Sequence, residues 1–213
     1  MDIIDPNIQE YLSAHSRHLT PELEELERQT YLRVLLPNMI SGKEQGAFLN
    51  IFFGALKPKL ALEIGTFTGY SAISMALAMD EDAKLITMDI NVELEPLVRE
   101  YIAKSGLEHR IDYRLGDAMQ MIDSIEDHSL DVVFIDADKR NYPHYAQKLK
   151  LKLKKEGILL IDNVLWHGKV VQEIPNKDTQ AILDTNKMVF EDLDYITSIV
   201  PLRDGILMAR KIK

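Results

Sequence analysis

Residues 60–69 read LALEIGTFTG, a short apolar run that passes through two glycines into a helical pattern. The same change from an apolar run to a helical pattern recurs along the chain. We predict five strands, at residues 60–64, 84–89, 111–115, 131–136 and 157–162. We predict helices after them, at residues 69–79, 93–105, 117–125, 142–154 and, beyond a loop, 178–191. This alternation is typical of right-handed βαβ units, which build a parallel sheet with helices on both faces.

The C-terminal tail departs from this pattern. Strands are predicted at Tyr195–Val200 and Ile206–Lys211, and only the turn PLRDG separates them. A turn that short can join antiparallel strands but cannot hold a crossover helix. We therefore expect the sheet to end in an antiparallel hairpin.

The first 56 residues are helical in pattern. One helix is predicted over residues 5–16, and a second begins at Thr20 and ends at Pro37. The sequence SGKE at residues 41–44 reads as a capping box that opens a third helix. We expect one α/β domain over residues 1–213, in which the N-terminal helices (1–56) contribute to a substrate site and a dimer, and residues 57–213 form the core.

Composition narrows the classes of function. The chain has 213 residues, 46% of them hydrophobic, and a net charge of −9. It lacks cysteine, which removes disulfides, thiolate metal sites and cysteine nucleophiles. No apolar run is long enough to span a bilayer, and the polar N-terminus does not resemble a secretory signal, so we expect a cytoplasmic protein. The negative net charge argues against a nucleic acid as the binding partner. We interpret the run of lysines in residues 148–155 as a solvated helix end.

The first strand and its glycines suggest a nucleotide-type pocket. The pattern is Glu63-x-Gly65-x-x-x-Gly69, whereas a dinucleotide-binding loop reads G-x-G-x-x-G and faces a pyrophosphate. A carboxylate at this loop suits a cationic ligand such as S-adenosylmethionine. Asp89 ends the second strand, where a carboxylate can accept hydrogen bonds from ribose hydroxyls, and Ala118 follows the third, where an adenine edge could rest.

Acidic and amide side chains end the fourth and fifth strands. Asp136 is the last residue of the fourth predicted strand, and Asp162 is the last residue of the fifth, with Asn163 directly after it. Either aspartate alone would commonly be a helix N-cap, but two at adjacent strand ends favour a divalent-metal site. These oxygen ligands suit Mg²⁺, Mn²⁺ or Ca²⁺ alike, and of the three we expect Mg²⁺. The six histidines are scattered and show no zinc spacing. Lys139, three residues after Asp136, would lie over the same site as a general base.

These residues resemble the cation-dependent O-methyltransferases, the family that includes the caffeoyl-CoA and catechol enzymes. The resemblance runs from about Met39 to the C-terminus, and more loosely over the N-terminal helices. It depends on seven segments, which are residues 39–41, 45–49, 62–71, 88–91, 134–139, 162–168 and 205–206. It implies a Rossmann-like class I methyltransferase with a seven-stranded, mostly parallel sheet, an antiparallel last strand and helices on both faces. It also implies a homodimer.

The resemblance also implies roles for individual residues. The metal ligands would be Asp136, Asp162 and Asn163, and Lys139 and Asp136 would be catalytic. The implied contacts with S-adenosylmethionine are Met39, Ser41, Glu63, Gly65, Thr66, Ser71, Asp89, Ala118 and Asp136. Trp166 and His167 would contact the substrate. His167 replaces an asparagine of the plant enzymes, and Arg140 replaces an acidic residue of the plant pattern.

The sequence therefore predicts a metal-dependent methyl transfer from S-adenosylmethionine to a catechol-type or other small phenolic hydroxyl. Two alternatives remain. Some bacterial relatives methylate a hydroxylated uridine in tRNA, so the same scaffold can serve RNA. The chain could also be a non-catalytic nucleotide-binding or scaffold protein, because a fold alone does not establish activity.

Overall fold

The structure is a computed structural model, and it describes residues 4–213. Seven strands form one sheet in the order β3-β2-β1-β4-β5-β7-β6. Their bounds are β1 Leu60–Ile64, β2 Lys84–Asp89, β3 Ile111–Leu115, β4 Leu130–Ile135, β5 Leu153–Ile161, β6 Tyr195–Val200 and β7 Ile206–Lys211. The pairs β1–β4, β2–β3 and β4–β5 are parallel, while β7 is antiparallel to both β5 and β6. The predicted fold class and the antiparallel hairpin are confirmed.

Helices precede β1 and separate most of the strands. They are α1 Pro6–Ala14, α2 Pro21–Arg33, α3 Gly42–Leu56, α4 Tyr70–Ala78, α5 Glu95–Lys104, α6 Ala118–Met121, α7 Tyr142–Lys152 and α8 Lys177–Glu191. Short 3₁₀ segments occupy Pro37–Met39, Val92–Leu94, Ile122–Ser124, Lys139–Asn141 and Trp166–Val171. No helix among residues 4–213 is long and apolar enough to cross a membrane.

The chain divides into two compact units. The first unit contains residues 60–65 and 118–213, and therefore β1 and β4 to β7, while the second contains residues 6–59 and 66–117. In the first unit, β1, β4 and β5 are almost fully buried at their carboxyl ends, as expected for central parallel strands. The predicted division of the chain into N-terminal helices (1–56) and a core (57–213) stays a prediction. Residues 1–3 of the N-terminal part lie outside the described residues.

Two local predictions were wrong in detail. The second helix ends at Arg33, and Pro37 instead opens a 3₁₀ segment. Ser41 has helical backbone angles and makes no capping hydrogen bond, so SGKE is not a capping box. Its expected partner Glu44 instead accepts hydrogen bonds from the side-chain amide of Gln9 at 3.0 and 2.8 Å.

Three of the five lysines of residues 148–155 lie at a helix end, as predicted, but most of the five are ion-paired instead of being only solvated. α7 ends at Lys152, and β5 begins at the next residue. Four of the lysines form ion pairs with carboxylates of the first unit, joining Lys148 to Asp123, Lys150 to Asp192 and Asp194, Lys152 to Asp127, and Lys154 to Asp131. Most of the positive charge of this run is therefore neutralised within the fold.

Candidate active site

Two aspartates hold neighbouring positions at the sheet edge, directly after β4 and β5. Ile135 pairs with Ile161 in the parallel register, so the residues that follow, Asp136 and Asp162, hold equivalent positions on strands about 4.8 Å apart. The backbone N–H of Asp162 donates to the carbonyl of Ile135 at 2.9 Å, which continues the ladder to this point. Asn163 comes next in the chain. The two acidic residues predicted as metal ligands are therefore neighbours.

Lys139 reaches back to this pair of strand ends. Its Nζ donates to Asp136 Oδ1 at 3.1 Å and to the hydroxyl of Tyr142 at 2.6 Å. The side chains of Lys139 and Asp136 are only 13% and 21% exposed, so solvent screens this ion pair less than a surface pair. The predicted base is therefore in direct contact with a predicted ligand.

Tyr142 is a residue of this site to which the sequence analysis gave no role. Its side chain is fully buried, and its hydroxyl donates to the backbone carbonyl of Asp162 at 3.1 Å. Burial and the nearby carboxylates of Asp136 and Asp162 raise the pKa of Tyr142 well above its ordinary value, so the phenol stays neutral. The spacing of three residues from Lys139 at a helix start was the signal that could have indicated it.

The segment after Asn163 has an unusual backbone. Asn163, Trp166 and His167 all have positive φ angles, of 58°, 48° and 53°. Such angles are costly for residues with a side chain, and they persist where surrounding contacts fix them. Here the N–H of Leu165 donates to the carbonyl of Asp204 at 2.9 Å, and the N–H of His167 donates to Asp204 Oδ1 at 2.5 Å. Asp204 therefore holds this turn, although the sequence analysis did not identify it.

The two predicted substrate residues differ in their surroundings. The ring of Trp166 lies 6.0 Å from the Nζ of Lys139 and 5.4 Å from the Nζ of Lys169. Its indole N–H is buried and has no hydrogen-bond partner among residues 4–213. His167 is 67% exposed, and its Nε2 lies 3.7 Å from the buried carboxylate of Asp204. Trp166 is thus adjacent to the predicted base, whereas His167 faces solvent.

Besides Asp136, the first unit contains three of the predicted cofactor residues. Glu63 lies in β1 and is fully buried, and Ala118 opens α6. Gly65 follows β1 with a φ of 100°, and a Cβ added there would lie 2.6 Å from the carbonyl carbon of Asp136. Only glycine fits this position, because the backbone after β4 passes directly over it.

The second unit contains the others. Asp89 ends β2, and its two carboxylate oxygens accept the N–H of Phe67 at 2.7 Å and of Asn91 at 2.9 Å. Thr66 is buried, and its hydroxyl lies 2.6 Å from that of Thr87. Asp89 therefore fixes the turn after β1, and its oxygens retain lone pairs for further donors. The remaining predicted contacts are Ser71 and Ser41, which are buried, and Met39, which is exposed.

Comparison with known proteins places these features in a family. A family model described as O-methyltransferase matches residues 13–212. The chain is 37% identical to caffeoyl-CoA O-methyltransferase 2 of Populus trichocarpa over 187 residues, which cover 82% of this chain and 76% of the relative. It is 36% identical to the caffeoyl-CoA O-methyltransferase of Medicago sativa, with the same two coverages.

A solved structure agrees with this result. The O-methyltransferase from Bacillus cereus, determined in complex with SAH, superposes with a TM-score of 0.86 at 26% identity, covering 96% of this chain and 97% of that one. The chain therefore belongs to the O-methyltransferase family. The enzyme class predicted from the sequence, an S-adenosylmethionine-dependent O-methyltransferase, is confirmed.

Proposed function

We propose that this enzyme transfers the methyl group to one of two adjacent hydroxyls of a small phenol, a catechol-type ring, and that it uses a divalent cation. The observation that supports this most directly is the contact of Lys139 with Asp136 beside Asp162, at the ends of two neighbouring strands. The carboxylates would bind the cation that holds the substrate hydroxyl, and the neighbouring base would remove the proton from that hydroxyl.

The donor set fits a hard cation. The ligands proposed are the carboxylates of Asp136 and Asp162 and the side-chain oxygen of Asn163, all of them oxygen donors of the kind that Mg²⁺, Mn²⁺ and Ca²⁺ prefer. Among residues 4–213 no group of three or more His, Cys, Asp or Glu side chains could hold a metal. A cation here would therefore depend on two carboxylates and one amide, with its other positions open to water or substrate.

S-adenosylmethionine supplies the methyl group when bound, and the cation would hold both hydroxyl oxygens and lower the pKa of one of them. Lys139 then accepts the proton of that hydroxyl at Nζ, while Asp136 stabilises the positive charge that the lysine acquires. Trp166 offers an aromatic face beside Lys139 for the ring of the substrate. We expect general-base catalysis by Lys139 to contribute about 10²–10⁴-fold to the rate.

We propose that the cofactor contacts the residues predicted from the sequence. The carboxylate of Asp89 would accept hydrogen bonds from the ribose hydroxyls through its remaining lone pairs, and the bare backbone of Gly65 would permit close approach. Glu63 would compensate the positive charge of the cofactor. The other proposed contacts are Met39, Ser41, Thr66, Ser71, Ala118 and Asp136.

The choice of a catechol-type substrate is supported by the relatives. The two plant enzymes are named for caffeoyl-CoA, whose ring carries two adjacent hydroxyls. His167 and Arg140 replace other residues of the plant pattern. The exposed Arg140 donates a hydrogen bond from Nε to Asp178 Oδ1 at 2.6 Å, so its guanidinium is already engaged within the chain. We therefore propose the ring, and not the acyl group of the plant substrate, as the part that this enzyme recognises.

The test measures methyl incorporation from labelled S-adenosylmethionine. The acceptors are a 1,2-diphenol, the isomeric 1,3-diphenol and bulk tRNA, each assayed with Mg²⁺, Mn²⁺, Ca²⁺ or a chelator. We expect methylation of the 1,2-diphenol alone, and only with a divalent ion, because the 1,3-isomer cannot present two oxygens to one cation. An unchanged rate after chelation would contradict the metal role, and incorporation into tRNA alone would favour the RNA alternative.

A further inference from the structure

The hydroxyl of Tyr142 links the ends of two strands through hydrogen bonds of defined direction. It donates to the backbone carbonyl of Asp162, 3.1 Å away, beyond β5. It also lies 2.6 Å from the Nζ of Lys139, which follows β4. A phenol has one proton, and because that proton is committed to the carbonyl, the hydroxyl can only accept from the lysine.

This direction limits how the Lys139 amine can rotate. The nitrogen has three positions besides its carbon, and two are directed at acceptors, at Tyr142 Oη and at Asp136 Oδ1. When the side chain is a neutral amine, its two N–H groups satisfy both acceptors. Its lone pair then takes the third position, which is the orientation that a base needs.

We propose that Tyr142 is a positioning residue, which uses its hydroxyl to orient the Lys139 amine so that its lone pair faces the substrate hydroxyl. The inference rests on the proposed function of Lys139 as the base. Tyr142 need not touch the substrate, because it acts through the lysine.

The first test is Tyr142→Phe, which keeps the buried ring and removes the hydroxyl. The matched control is Tyr145→Phe, which removes a tyrosine hydroxyl from the same helix. The Tyr145 hydroxyl donates to the carboxylate of Asp138 at 2.9 Å, whereas the Tyr142 hydroxyl donates to a backbone carbonyl and accepts from Lys139. We expect kcat to fall about 10- to 100-fold in Tyr142→Phe, with the KM for S-adenosylmethionine unchanged. Tyr145→Phe should keep both constants near those of the unmodified enzyme.

A second readout does not depend on turnover. Lysine side chains are modified with limiting acetic anhydride, and the extent at each position is measured by mass spectrometry. Lys152 is the internal reference, because it is 11% exposed and ion-paired with an aspartate, much like Lys139 at 13%. We expect Tyr142→Phe to raise the modification of Lys139 several-fold relative to Lys152, whereas a general loosening of the fold would raise both.

The outcomes separate this inference from the proposed function. If Lys139→Gln abolishes turnover while Tyr142→Phe leaves kcat and the modification ratio unchanged, the positioning role is wrong and the base remains. If the unmodified enzyme methylates no 1,2-diphenol, the proposed function fails, and the modification ratio still reports whether Tyr142 holds the lysine.

Folding of the variant is a further check. If Tyr142→Phe does not fold, it is combined with Lys139→Met, which removes the amine that needs an acceptor. Recovery of folding in the double variant supports the link between the two side chains. If the double variant fails to fold while Lys139→Met alone folds, the Tyr142 hydroxyl is needed only as a donor to the Asp162 carbonyl, and the inference is wrong.

Discussion

Replacement of Gly65 by alanine is expected to damage both stability and activity, for a reason visible in the backbone. The added Cβ would collide with the backbone carbonyl group of Asp136: it would overlap the carbonyl oxygen and lie 2.6 Å from the carbonyl carbon, and it would lie 3.2 Å from the nitrogen of Ala137. Ordinary contact begins at 3.4 Å, so the first distance is about 0.8 Å too short (3.4 minus 2.6). Because the obstacle is backbone, no side-chain rotation relieves it.

The cost has two parts. An alanine at the positive φ of Gly65 costs about 1–3 kcal/mol, and forcing an extra methyl group into a packed site costs about 1–3 kcal/mol more. Gly106→Ala isolates the first part, because Gly106 has a φ of 67° and nothing within 4 Å of an added Cβ. The difference between the two variants therefore estimates the clash. A shift of Asp136 by close to 1 Å would also lower kcat by up to about 100-fold.

Urea unfolding followed by circular dichroism gives the free energies, and methyl incorporation gives kcat for the folded variants. We expect Gly65→Ala to be less stable than Gly106→Ala by about 1–3 kcal/mol, and to lose activity that Gly106→Ala retains. Equal unfolding midpoints and equal turnover for the two variants would show that the backbone of Asp136 does not pass over Gly65 as described.

Three further results are expected. Lys139→Gln should lower kcat about 10²–10⁴-fold in the methyl-incorporation assay, whereas Lys152→Gln, which removes a lysine of similar burial, should leave it near normal. The unfolding free energy should fall as the pH rises above 10, because the raised pKa of Tyr142 keeps its phenol protonated in the fold while the phenol of the unfolded chain ionises. For this one group the loss approaches about 1.4 kcal/mol per pH unit. Urea unfolding of Tyr142→Phe should therefore show a smaller decrease of the unfolding free energy with pH. Asp204→Ala removes the acceptor of the His167 N–H and should raise the KM for the phenol several-fold in steady-state kinetics, and an unchanged KM would mean that this turn does not contact substrate.

Much of the fold could be predicted from the sequence, because most strands are short apolar runs with clear breakers at both ends. Strands β1 to β3, β6 and β7 have the predicted bounds. The start of β5 was missed because the predicted helix was continued to residue 154 and the strand was begun only at Gly157. Pairing of Leu153 with Leu130 extends the strand across an irregular register, in which Glu156 has a φ of 67°.

The residues of the site that lie directly at the ends of strands could be predicted from the sequence. Asp136 and Asp162 could be placed together because parallel neighbours end at the same edge, and Lys139 follows by its spacing. Tyr142 and Asp204 could not be identified in this way. Their contacts reach backbone groups 20 and 37 residues away, so they exist only once the strands have been brought together.

The position of Trp166 gives this enzyme a built-in optical probe. It is the chain's only tryptophan, and its ring centroid lies 6.0 Å from the Nζ of Lys139. Indole emission depends on nearby charge and on stacked rings, and here it arises from one place, beside the proposed base. Intrinsic fluorescence should therefore report the occupancy of the phenol site directly, without a label and without turnover.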